Sequence, residues 1–185
     1  MKKIIFNYSL CFLLFCFLFS TNSSAQALSN EDIKAQMSAD WTRAKEYTNE
    51  YLNTMPANKY SYKAVDSLRS FAQQLLHLAT ANVFLMATAT DQPPLPWANF
   101  GLENSTTAQN KDSVVYYVNA SYDYCINAVK KCDPSKWKEE KEVFGFKATK
   151  YAFMLKTFEH QTHHRGQTTI YIRLNNIKPP QEKLF

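Results

Sequence analysis

Four stretches of the chain repeat apolar residues at the three- and four-residue spacing of an amphipathic helix. The first begins near Ser29 or Asn30, since either residue can cap a helix, and ends at Pro56. Its apolar positions predict one inward face, made of Met37, Trp41, Ala44, Thr48, Tyr51, Leu52 and Met55. No stretch alternates apolar and polar residues as a half-buried strand would.

The other three helices have equally clear limits in the sequence. The second is capped by Asp66 or Ser67 and runs to about Ala89, the third spans about 111–131, and the fourth about 149–175. The whole chain has only 3 glycines. Four amphipathic helices of this length predict an all-α protein, a four-helix bundle with antiparallel neighbours.

Two connecting segments stand out between these helices. Residues 90–110 form a long loop between helices 2 and 3, with several prolines but also Trp97 and Phe100, which argue against disorder. We expect this loop to cover the open end of the bundle and to wall a pocket there; the alternative is that both rings only patch the core. Residues 136–147 are rich in charge and are predicted to be an exposed connector.

The N-terminal segment 1–27 has the pattern of a secretory signal. Lys2 and Lys3 precede an apolar run, and small residues at 23–27 offer a cleavage site. The alternative is an uncleaved anchor, but Asn7 interrupts the apolar run. We therefore predict export to a periplasmic or extracellular compartment, with no stable membrane span once the signal is cleaved.

Residues 28–185 have a length suited to one domain with a continuous core. The net charge of the whole chain is +5 at pH 7, and removal of Lys2 and Lys3 lowers it by two. Since the remaining excess is small and scattered, the sequence lacks the clustered basic stripe of a nucleic-acid-binding protein.

Two cysteines, Cys125 and Cys132, remain after the predicted cleavage. Seven residues on one helix separate their Cα atoms by about 10.5 Å, which is too far for a disulfide. Both lie on the apolar stripe of the third helix, so they are predicted to be buried, unreactive thiols. Unwinding of the helix before Pro134 is the alternative that would let them pair.

The most informative residues are the 4 histidines. His160 and His164 are four residues apart on the fourth helix, so both imidazoles lie on one face and can share a metal ion. With His77 of the second helix they give three ligands, the number found in zinc centres with an open coordination position. Spacing alone also allows His160 with His163, and packing without metal is a further alternative.

Polar residues next to these histidines are candidates for supporting them. Gln74 lies one turn before His77, where a metal ligand needs a partner for its second ring nitrogen, although this edge could simply face solvent. Arg165 and Gln167 are placed to support either the ligands or a substrate.

The end of the fourth helix carries two smaller predictions. Gly166 costs roughly 1 kcal/mol in the middle of a helix relative to alanine, so it is expected to allow close approach of a neighbouring helix or of the site. Asn176 is expected to take the left-handed conformation that closes the helix.

The motifs HHRGQ and YIRLNNIKPP, together with SFAQQLLHLATAN upstream, resemble the DinB-like (damage-inducible) family. The resemblance extends from about Trp41 to Pro180 and implies a four-helix bundle. It implies that the metal ligands are His77, His160 and His164, so His163 is then expected to point outward and to contact Glu159. It also implies a homodimer.

The resemblance suggests one divalent ion, most readily zinc or nickel, and a small-molecule substrate. Characterised members include transferases that use low-molecular-weight thiols, and metal-dependent hydrolysis is a second enzymatic reading. Hydrolysis lacks an identifiable general base here, and export weakens the thiol reading because such thiols are mainly cytoplasmic. The alternative class is a non-catalytic metal-binding or stress-associated bundle.

Overall fold

The computed structural model describes residues 27–185, so residues 1–26 of the predicted signal lie outside the described part of the chain. The helices are α1 (Asn30–Thr54), α2 (Phe71–Thr90), α3 (Lys111–Lys131) and α4 (Lys150–Leu174). The predicted all-α four-helix bundle is confirmed, with one short hairpin added to it. None of the described helices is long and apolar enough to cross a membrane.

Helix α1 begins where the sequence predicts, because Ser29 and Asp32 form a capping box. The Ser29 hydroxyl accepts a hydrogen bond from the Asp32 amide at 3.1 Å, and the Asp32 carboxylate accepts one from the Ser29 amide at 3.1 Å. Further along, Trp41 is fully buried and packs edge-on against Tyr122 of α3 and Phe158 of α4. This aromatic cluster joins three of the four helices.

Helix α2 begins three to four residues later than predicted. Its cap is Ser70, whose hydroxyl accepts from the Gln73 amide at 3.2 Å while the Gln73 side chain accepts from the Ser70 amide at 2.9 Å. The predicted caps Asp66 and Ser67 lie outside the helix because Ser70 and Gln73 satisfy two end amides reciprocally. The start of α2 is also tied to the preceding loop, since the Phe71 amide donates to the carbonyl of residue 62 at 3.0 Å.

The connector at 136–147 is mostly exposed, as predicted, but it contains most of a hairpin that was not predicted. Strands β1 (Glu140–Val143) and β2 (Phe146–Thr149) pair antiparallel. Phe144 and Gly145 form the two-residue turn, with φ values of 53° and 79°. Each strand has only four residues, which is too short for alternation to be recognised among the charges.

Helices α2 and α4 are antiparallel neighbours. Near the start of α2, the Arg69 carbonyl accepts a hydrogen bond from the Tyr171 hydroxyl close to the end of α4, at 2.7 Å. At the opposite end, the ammonium of Lys150, the first residue of α4, donates to Asp91 just after α2. This arrangement brings His77 level with the middle of α4.

Helix α4 ends as predicted. Asn176 has a φ of 59°, in the left-handed region, and its amide donates to the Arg173 carbonyl at 2.9 Å. The next amide, of Ile177, donates to the Ile172 carbonyl at 3.2 Å. These bonds satisfy carbonyl groups at the end of the helix, which is the role of a left-handed cap.

The long loop between α2 and α3 is confirmed, and it is ordered. It contains two short 3₁₀ helices, Leu102–Asn104 and Thr106–Ala108. Leu102 and Ala108 are buried in the core. The loop therefore lies against the bundle, and its first 3₁₀ helix reaches the face of α2 that carries His77.

Both cysteines are free and buried, as predicted. The Cys125 thiol donates to the Asn82 carbonyl at 3.5 Å, and burial raises its pKa well above the usual value. A thiol held in the protonated form is a poor nucleophile. Cys125 therefore serves as a packing residue of α3, and Cys132, which caps the end of that helix, is buried in the same core.

Candidate metal centre

Three histidines come together between α2 and α4. The ring centroid of His77 lies 5.3 Å from that of His160 and 4.6 Å from that of His164, and the last two are 4.3 Å apart. One ring nitrogen from each histidine lies within 4.8 Å of the other two. His164 is buried, and His77 and His160 are half-buried. The helical register that the sequence predicts thus points three nitrogen donors at one small volume.

The two α4 histidines face each other through the same ring atom. The Nε2 atoms of His160 and His164 are 3.1 Å apart. Nitrogens this close either share a proton or direct two lone pairs at one cation. The Nδ1 atom of His160 is buried and has no hydrogen-bond partner within residues 27–185. His160 is therefore the ring whose tautomer the surrounding residues fix least.

His77 is oriented by an acid that sequence reasoning missed. Its Nδ1 atom lies 2.8 Å from Oε2 of Glu103, in the first 3₁₀ helix of the long loop. The other carboxylate oxygen accepts from Arg69 Nε at 3.0 Å. A carboxylate at Nδ1 keeps the proton on that nitrogen and leaves Nε2 of His77 free to bind a metal. One feature of the sequence could have indicated this residue: Glu103 is the only acidic residue between Asp91 and Asp112.

His164 is oriented by a chain of amides that the sequence predicted in part. Its Nδ1 atom lies 3.0 Å from Oε1 of Gln74, whose amide nitrogen donates to Oε1 of Gln167. The Gln167 amide nitrogen in turn lies 3.0 Å from Nε2 of His163. An oxygen at Nδ1 means that this nitrogen carries the proton, so Nε2 of His164 is the unprotonated atom.

Burial keeps all three imidazoles neutral at neutral pH. Loss of hydration, together with smaller contributions from neighbouring histidines, lowers the pKa of His164 to about 3 and that of His160 to about 4. Burial also lowers the pKa of His77, with Arg69 adding to the effect and Glu103 opposing it. The neutral imidazole is the form that ligates metals, so protons compete little for these nitrogens near pH 7.

Family membership follows from a match over most of the chain. The sequence profile of the DinB family matches residues 23–183. The chain belongs to the DinB family.

Two solved structures share the fold of this DinB-family protein. A DinB-like protein from Bacillus cereus ATCC 10987 has a TM-score of 0.67 at 16% sequence identity, covering 79% of this chain and 95% of its own. The DinB-like protein YjoA from Bacillus subtilis has a TM-score of 0.61 at 20% identity, covering 81% and 96%. No curated protein shows significant similarity to the chain. At these identities the comparisons establish the fold.

Arg165 of the DinB-family protein has its contacts on the other side of α4. Its guanidinium carbon lies 4.6 Å from the ring centroid of Tyr47 on α1, and Nη1 donates to Oε1 of Gln161 at 3.1 Å. Of the three residues predicted to support the site, Gln74 touches a histidine of the cluster directly, Gln167 acts through Gln74, and Arg165 packs toward α1.

The two aromatic residues of the long loop also have their ring contacts elsewhere. Trp97 packs against Tyr117 of α3, with centroids 5.0 Å apart. Phe100 packs against Phe84 of α2 and Phe144 of the hairpin turn, at 5.2 and 5.9 Å. The loop does reach the histidines, but through Glu103 instead of these rings.

Two predictions about α4 are wrong. His163 contacts Gln167, whereas Glu159 pairs with Lys156, because the carboxylate is drawn to the full positive charge. Gly166 is exposed, and a Cβ atom built there meets no neighbouring atom within 4 Å. The glycine therefore does not serve a close approach of helices.

Proposed function

We propose that His77, His160 and His164 bind one divalent metal ion, zinc or nickel, and that this centre is a metal-dependent enzyme site for a small molecule. One observation carries the proposal: three neutral imidazole nitrogens from two helices lie within 4.8 Å of one another. Imidazole suits zinc and nickel among the divalent metals. Three protein ligands leave a coordination position open for a substrate.

The residues around the cluster fit such an ion. A metal-bound histidine usually donates its second ring N–H to a carboxylate or carbonyl oxygen. Glu103 is placed to accept that bond from His77, and Gln74 to accept it from His164. If His77 and His164 only packed in the core, neither ring would need to be held in the tautomer that leaves Nε2 unprotonated.

Among enzymatic reactions, transfer with a low-molecular-weight thiol is favoured over hydrolysis. When bound, the ion would hold the thiol as a thiolate at reduced pKa. Hydrolysis would also require a base for the attacking water. Glu103 is the carboxylate in contact with the cluster, and its two oxygens are engaged by His77 and Arg69. The residues present therefore support a reaction in which no free carboxylate is needed.

The test is an assay in which cysteine or glutathione is conjugated to an activated haloaromatic acceptor. The absorbance of the conjugate measures the rate. Protein loaded with zinc or nickel is expected to accelerate the reaction, while chelator-treated protein is not, and restoring the metal should restore the rate. Metal binding that raises the melting temperature without any turnover would contradict the enzymatic proposal and favour a non-catalytic metal-binding bundle.

We further propose that the protein works outside the cytoplasm, as the signal-like segment 1–27 suggests, so the thiol it uses would have to be one that reaches that compartment. After expression in a Gram-negative host, mass spectrometry of the periplasmic fraction is expected to find a chain that begins near residue 28. Full-length protein confined to the cytoplasm would overturn this. The homodimer and the small-molecule substrate implied by the family stay predictions.

A further inference from the structure

A cavity lies on a part of the surface away from the histidine cluster. It has a volume of about 520 Å³ and is formed by one face of α3 and by the first half of the long loop. None of its lining residues belongs to the histidine cluster or contacts it directly. The volume falls in the range that holds small ligands.

Aromatic rings form the walls of this cavity and are already fixed in place. Tyr116 and Tyr124 are eight residues apart on α3, so they lie on one face about 12 Å apart, with Ala120 as a low floor between them. The Tyr124 hydroxyl donates to the Gln92 carbonyl at 3.2 Å, and Trp97 leans on α3 through Tyr117, as described above. Rings held before a ligand arrives lose little entropy on binding.

Tyr116 is the least protected of these rings. It is 62% exposed, although a large aromatic side chain normally buries most of its surface. Its neighbour Tyr117 packs edge-on against it at 5.2 Å and limits its motion. An exposed and supported ring at the edge of a cavity is a ready stacking surface.

The rim of the cavity carries polar groups that are free to bind a ligand. Within residues 27–185, the side chains of Asn127 and Lys131 make no hydrogen bond or ion pair. Asp123 is paired with Lys45 at 2.6 Å, so its charge is already balanced while part of its oxygen surface remains exposed. Pro93 and its neighbouring prolines have no backbone N–H, so side chains must supply most donors.

From these features we infer that the cavity binds a neutral saccharide of more than one sugar ring. A pyranose ring has an apolar C–H face that stacks on Tyr116, Tyr124 or Trp97, and an edge of hydroxyls that bond to Asn127, Lys131 and Asp123. A cation would find Asp123 already neutralised and Lys131 repelling it. An extended peptide needs backbone partners, which a helix face and a proline-rich wall do not offer.

The test is a binding titration with cellohexaose, maltohexaose and N-acetylchitohexaose. Binding is detected by tryptophan fluorescence and by amide NMR shifts. At least one is expected to bind with a Kd below about 1 mM and to shift the signals of Trp97 and Asn127. Tyr116→Ala should weaken binding about tenfold or more, whereas Tyr116→Phe keeps the ring and should bind as the unmodified protein does.

Matched controls separate this site from general stickiness and from the metal centre. Phe146 is 74% exposed on the hairpin, so Phe146→Ala removes an even more exposed ring elsewhere and should leave saccharide binding unchanged. His77→Ala should leave it unchanged as well. If none of the three saccharides binds with a Kd below about 1 mM, or if Tyr116→Ala binds as tightly as Tyr116→Phe, the inference is wrong.

Discussion

Alanine in place of His164 is expected to lower the affinity of the protein for zinc or nickel by about a hundredfold or more. A four-ligand structural zinc site is worth roughly 10–16 kcal/mol, so one of its ligands contributes about 3 kcal/mol, or about a hundredfold in affinity. His164 is the ligand with the greatest burial and with an orienting partner, Gln74. Its loss should leave the two remaining rings unable to retain an ion during purification.

The adjacent residue gives the matched control. His163→Ala removes the same side chain from the same helix, but His163 is exposed and offers no nitrogen to the cluster: its ring packs edge-on against His164 at 5.0 Å, and its Nε2 atom lies against Gln167. Metal content by mass spectrometry and affinity by calorimetry should therefore stay near those of the unmodified protein. Equal metal content in His163→Ala and His164→Ala would mean that the ion binds elsewhere.

The same pair of variants distinguishes loss of metal from loss of fold. Without added metal, both variants should show the helical circular dichroism of the bundle. An ion that binds only the folded state raises the melting temperature in proportion to the logarithm of its concentration. We expect this rise for the unmodified protein and for His163→Ala, and its absence for His164→Ala.

The histidine cluster could be predicted because helical periodicity carries the information. Residues four apart on a helix share a face, so His160 and His164 had to be neighbours once α4 was recognised. Periodicity did not exclude His163, because residues three apart are also near one another. The Gln74 contact to His164 places His164 on the side of α4 that faces α2.

Residues outside the helices were harder to place. The contact of Glu103 with His77 depends on the path of a loop, and a loop has no periodic pattern of residues. Trp97 and Phe100 were predicted to line the pocket instead, because large aromatic residues are conspicuous in a loop. The hairpin was missed for a related reason. A turn that places Phe144 in the left-handed region is unusual for a bulky residue, so local preferences argued against it.

A substitution of Glu103 should lower the metal affinity of the centre although Glu103 is not itself a metal ligand. Glu103→Ala is expected to lower metal affinity by about 10–100-fold, because the carboxylate fixes the His77 tautomer and makes its Nε2 atom more basic. Glu103→Gln should lie near the small end of that range. Its amide oxygen can still accept the Nδ1 proton of His77, but the negative charge is gone.

Glu159→Gln is the matched control for charge. Glu159 is the neighbour of His160 in the sequence, but it is exposed and pairs with Lys156. Removing its charge near the cluster should change metal affinity by less than about twofold, as expected for a solvated carboxylate. Calorimetric titration of zinc into the three variants at one pH and salt concentration gives the comparison. If Glu103→Ala binds as tightly as Glu159→Gln, then His77 needs no orienting partner, and the loop contributes structure alone to this face of the bundle.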